Sequence, residues 1–147
     1  MNAPPKVVPA AAGSPLTVLG EHVLLKFTSP DTNGLFTLTE QFNAPGTGIP
    51  LHLHTREDES FWVLEGQVEF VVADTTTLVG PGGVIYAPRG VAHSFRAVST
   101  TPSRMLVHIA PAGLETMFEE LSQLPPGPPD FDQVVAICTR YGISFVS

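Results

Sequence analysis

The sequence predicts an all-β sandwich or barrel that ends in one or two helices, and three observations carry that reading. From Leu16 to about Pro111 the apolar residues come in short runs, rich in β-branched and aromatic types and broken by turn signals at strand-like spacing. The 13 glycines and 15 prolines are scattered through the middle of the chain, where they interrupt any long helix. Only after Pro111 does the apolar period lengthen to helical spacing.

In chain order, residues 1–15 (MNAPPKVVPAAAGSP) alternate proline with small residues and bury little, so they are expected to form a flexible arm. Residues 16–111 are expected to form the barrel. Turns are marked by SPDTNG at 29–34, NAPGTG at 43–48 and GPGG at 80–83. Strand alternation places Val68, Phe70 and Val72 on one face, and likewise Met105, Val107 and Ile109. Within 112–147, Leu114, Met117, Phe118 and Leu121 share one face of a helix that LPPGPPD terminates. A second helix is expected near Asp130, with Asp130 or Asp132 serving its free N–H groups, Val134, Cys138 and Tyr141 on its apolar face and Gly142 at its end. Both helices are expected to pack on the barrel.

With 147 residues and no internal repeat, the chain is expected to be one domain. No apolar run reaches the ~20 residues that span a bilayer. The N-terminus lacks the charged start and unbroken apolar centre of a secretory signal, so a cytoplasmic location is expected. Cys138, the single cysteine, has no partner for an internal disulfide or a thiolate metal site. A formal net charge of −7 repels phosphate backbones, which sets aside nucleic acid and anionic membrane as partners.

The chemistry concentrates in GTGIPLHLHTREDESFWVLEG, residues 46–66. His52 and His54 lie two apart on a candidate strand and so point to one face. Glu59 follows a short polar connection, and His93 follows a turn at Pro88–Gly90 that returns a strand across the sheet. Three imidazoles and a carboxylate suit one divalent transition metal (Fe, Mn, Ni, Co, Cu or Zn) and leave coordination positions open for substrate or dioxygen. The metal with one glutamate would hold about one positive charge in an apolar barrel, which favours an anionic or enolisable oxygen ligand.

Gly46, His52-x-His54, Glu59 and Gly66 match every anchor of the first cupin motif, and Gly82, Pro88-x-Gly90 and His93 match the second; the sequence resembles the cupin family over roughly residues 35–110. The resemblance implies a jelly-roll β-barrel with His52, His54, Glu59 and His93 as metal ligands. Glu57 and Asp58 are alternative carboxylates, but only Glu59 keeps the family spacing on both sides. One departure is Ala97, where the second motif usually closes with an asparagine that does not bind the metal. Phe61, Val63 and Phe95 share strand parity with the ligands and are expected to line the substrate pocket, whereas Trp62 has the opposite parity and faces outward. His22 and His108 lie outside the motifs and are read as structural or surface residues. Arg89 is read as a solvated turn residue.

The short chain with this glutamate spacing is similar to quercetinase-like dioxygenases, which implies a dioxygenase acting on a flavonol-like or other enolisable small molecule, with Glu59 as both ligand and general base. The same ligands permit non-redox isomerase or lyase chemistry, and a cupin that binds a small molecule without turnover is a third reading. An edge strand, the proline-rich arm and outward residues such as Trp62 lead to the expectation of a homodimer.

Overall fold

The structure is a computed structural model and describes residues 2–146. Its strands are β1 (Ser14–Val18), β2 (Glu21–Phe27), β3 (Thr37–Asn43), β4 (Gly48–His54), β5 (Asp58–Glu65), β6 (Val68–Val72), β7 (Thr75–Val79), β8 (Val84–Ala87), β9 (His93–Ala97), β10 (Ser103–Ala110) and β11 (Ile143–Phe145). They form two antiparallel sheets, one in the order β1-β2-β3-β10-β5-β8 and the other in the order β11-β4-β9-β6-β7. This is the jelly roll that the motifs imply.

Alternation decides what the sheets enclose. Phe61 and Val63 of β5, Val68 and Phe70 of β6, Phe95 of β9, and Met105, Val107 and Ile109 of β10 are all buried in one core. Their neighbours Trp62 and Val84 face outward and stay exposed. Two glycines shape the entry to β4 for different reasons. Gly46 has a φ of +84°, which L side chains rarely adopt, whereas at Gly48 a Cβ would run into the backbone carbonyl of Phe95.

The stretch from residue 29 holds more than a turn: α1 (Ser29–Thr32) is a single helical turn with a proline in its first turn. The carboxylate of Asp31 accepts from the Thr28 backbone N–H at 2.9 Å, closing a capping box. Residues 2–13 carry no helix or strand. They are held by Lys26, whose buried ammonium donates to the Ala12 carbonyl at 2.6 Å and pairs with Glu40 at 3.4 Å, and by Lys6, paired with Asp31 at 2.9 Å.

Two further helices, α2 (Glu115–Ser122) and α3 (Phe131–Arg140), follow the barrel. Helix α2 packs on β1, α3 packs on β11, and the helices touch each other. Because β1 and β11 are edge strands of opposite sheets, the pair bridges one open side of the sandwich. No helix among the described residues is long and apolar enough to cross a membrane.

Candidate metal centre

Strands β4, β5 and β9 deliver the site. His52 and His54 project inward from β4, Glu59 lies near the start of β5, and His93 opens β9 directly opposite His52 in the strand pairing. One ligand atom from each of the four residues lies within 4.8 Å of all the others, and all four side chains are buried. Donors about 2.1 Å from one ion are at most about 4.2 Å apart, so the cluster needs only a slight contraction to hold it.

Hydrogen bonds on the outer side of each ring set which nitrogen faces inward. Nδ1 of His52 donates to the Pro50 carbonyl at 2.8 Å, and Nδ1 of His93 donates to the Val91 carbonyl at 3.4 Å. Nδ1 of His54 donates to the Glu57 carboxylate at 3.3 Å. This leaves the Nε2 atoms for the centre. Nε2 of His93 is 2.9 Å from Glu59 Oε2, and Nε2 of His54 is 3.5 Å from the same oxygen. Among the described residues the His54 nitrogen is buried without a hydrogen-bond partner. A buried, unpartnered imidazole nitrogen beside two further imidazoles and a carboxylate fits a divalent transition metal.

The charges follow from burial and from the cluster itself. Burial, with help from His93, pushes His52 down to about 4, so its ring is neutral at ordinary pH. For His54 burial also opposes the cation, but Glu57 and Glu59 outweigh it and raise its pKa. Burial likewise works against the Glu59 carboxylate, yet the hydrogen bond from His93 and the charges of the nearby histidines hold its pKa below the usual value. Glu59 is therefore an anion ready to bind a cation.

A cavity of about 390 Å³ adjoins the cluster, with His52, His54 and Glu59 on its wall. Phe61 and Phe95 line it, whereas Val63 is wholly buried in the core and does not reach the wall. Much of the wall comes from residues that local patterning in the sequence did not mark as pocket residues. These are Met117, Phe118 and Leu121 of α2, Phe131 and Val134 of α3, and Phe145 of β11. Helical periodicity marks most of them as apolar-face residues, and only the docking of the helices turns that face toward the metal centre.

The remaining candidates stand apart. His22 is exposed against Phe42 and His108 against Phe36, on the sheet surface. Arg89 is paired with Asp58 at 3.0 Å, which holds that carboxylate outside the cluster. Ala97 closes β9 through its backbone: its carbonyl accepts from Gly46 N–H and its N–H donates to the Thr47 carbonyl, both at 2.8 Å. The strand end is thus tied down without an asparagine side chain.

Comparisons with known proteins agree with this architecture. Residues 41–109 match the family model described as a cupin domain. An uncharacterized protein of Streptomyces coelicolor is 40% identical over 55 residues, 37% of this chain and 51% of that protein. The match thus spans about half the length of that relative. The polyketide cyclase RemF of Streptomyces resistomycificus is 28% identical, with a TM-score of 0.62 over 73% of this chain and 80% of its own. A protein of Thermus thermophilus is also 28% identical, with a TM-score of 0.56 over 62% of this chain and 83% of its own. A predicted oxalate decarboxylase from Thermotoga maritima has a TM-score of 0.64 at 20% identity, over 71% of this chain and 98% of its own, and shows the fold alone. The two-sheet topology and these likenesses together show a jelly-roll fold of the cupin type, with the match to the cupin-domain model confined to residues 41–109.

Proposed function

We propose that the protein is a metal-dependent enzyme that deprotonates an enolisable, largely apolar small molecule inside its cavity. The observation that carries this reading is Glu59, a buried carboxylate that joins the histidine cluster and also lies on the wall of an apolar cavity. A divalent transition metal held by His52, His54, Glu59 and His93 would supply Lewis acidity and an open position for a substrate oxygen. The rings of His52 and His93 are oriented by the backbone carbonyls of Pro50 and Val91. Glu59 accepts the substrate proton at its carboxylate. Phe61, Phe95, Phe118 and Phe145 exclude water and press a flat, apolar substrate toward the cluster.

Proton removal prepares two onward reactions. Attack by dioxygen is the dioxygenase reading, supported by the glutamate spacing shared with quercetinase-like proteins. Non-oxidative ring closure or rearrangement is the second reading, supported by the 28% identity to a polyketide cyclase. The test incubates metal-loaded protein with flavonols and with aromatic β-dicarbonyl compounds, following solvent deuterium exchange and oxygen uptake together. Exchange with oxygen uptake supports the dioxygenase, and exchange without it supports the non-oxidative reaction. Glu59→Gln should retain most of the metal while exchange slows by roughly 10²–10⁴-fold, the loss typical of a missing general base. Exchange at the unmutated rate in a metal-loaded Glu59→Gln protein would remove the base role.

A further inference from the structure

Glu57 lies in the connection between β4 and β5, only 7% exposed, and neither the ligand cluster nor the proton transfer uses it. Its Oε1 is 3.3 Å from Nδ1 of His54, the face of the ring turned away from the cluster. Burying a carboxylate is unfavourable unless a charge or several donors compensate it. Among the described residues it forms an ion pair with His54. His52 and His93 rest instead on neutral backbone carbonyls. One of the three histidines is therefore singled out for a charged partner on its outer nitrogen.

We propose that Glu57 is a positioning residue for the metal: it orients His54 and lends negative charge to that ring, strengthening Nε2 as a donor. The inference rests on the metal reading above. The geometry suits it, because an acceptor on Nδ1 fixes the tautomer that leaves the Nε2 lone pair free, and that atom is buried with no hydrogen-bond partner among the described residues. It also revises the charge of the site. Glu57 and Glu59 together match a divalent ion, so the loaded centre is neutral overall instead of singly positive. A neutral centre favours a substrate that arrives as an uncharged, enolisable molecule and loses its proton inside, over one that arrives as an anion.

The test titrates Co²⁺ into the full-length protein against a competing chelator, reading visible absorption and the metal-induced rise in melting temperature. Glu57→Ala should weaken Co²⁺ binding about 10–100-fold, as loss of an outer-sphere partner does. Glu57→Gln keeps an oxygen acceptor but no charge, and should fall between Glu57→Ala and the unmutated protein with an altered Co²⁺ absorption band. Each variant's metal-free melting curve reports its folding separately, and the near-isosteric Glu57→Gln serves if Glu57→Ala does not fold. Unmutated Co²⁺ affinity and absorption in the variants would overturn the proposal alone, even with a lowered metal-free melting temperature. Failure of the unmutated protein to bind Co²⁺ would overturn the metal reading, and the proposal with it.

Discussion

Two imidazoles of the cluster carry opposite acid–base consequences. His52 ionises at about 4 in the fold and near 6.5 when exposed to water. Between those values the unfolded chain binds a proton that the folded chain refuses, so stability falls as the pH drops through that window. His54 works in the opposite sense: its raised pKa adds stability below about 6.5 that is lost as the pH rises through its folded value. Urea midpoints of the metal-free protein, measured from pH 7 to pH 4, should decline on the acid side, and His52→Gln should decline less steeply. An equal slope in both proteins would contradict the neutral, buried state of His52. For the metal itself, His54→Ala removes one of the four proposed donors and should cost most of the bound ion, measured by elemental analysis. Full stoichiometry in that variant would remove His54 from the ligand set.

Among the elements, β4 carries two of the candidate ligands and is tightly packed at its entry. A Cβ at Gly48 would strike the Phe95 backbone, and Gly48 pairs with Arg96 on the same ladder that sets His52 against His93. Gly48→Ala should therefore cost about 1–3 kcal/mol, the range for forcing extra atoms into a packed region. It should also weaken metal binding, since the two histidine strands must part. Chemical denaturation and metal titration of the same variant check both outcomes, and unchanged stability would show that the strand adapts. Helix α3 depends on Asp130, whose side chain accepts from the Asp132 N–H at 3.0 Å. Asp130→Ala should cost about 1 kcal/mol. Hydrogen exchange should then quicken along residues 131–145, which include the Phe131, Val134 and Phe145 wall of the cavity.

At the scale of the whole molecule, the outer face of the six-stranded sheet leaves Trp62, Val84 and Tyr86 at least half exposed along β5 and the edge strand β8. An open strand edge beside apolar side chains favours burial against a second copy. Light scattering at micromolar concentration should return twice the 15.7 kDa chain mass, and Trp62→Lys should shift the protein toward the monomer. A monomer mass for the unmutated protein would contradict the homodimer. Pairing through this face would leave the cavity open, because α2 and α3 lie across the other end of the strand order, between β1 and β11.

Strand class and helical C-terminal segments were legible in the sequence from local rules, and the four ligand candidates from those rules together with the resemblance to the cupin motifs. Alternation places His52 and His54 on one face, proline and glycine cut the chain into strand lengths, and motif spacing singles out Glu59 and His93. Tertiary structure decided what no local rule reaches. Glu59 and His93, 34 positions apart, meet at 2.9 Å only because β5 and β9 lie in facing sheets. The short strand β11 has no sequence signal of its own and exists by pairing with β4, which brings Phe145 beside His52. The spacing named Glu57 only as a substitute for Glu59. The fold turned it to the far side of His54 instead, since the connection leaving β4 reverses direction there. Strand and helix periodicities are written in neighbouring residues, whereas the second face of a ring, the wall of a cavity and the pairing of an edge depend on which distant segments the core brings together.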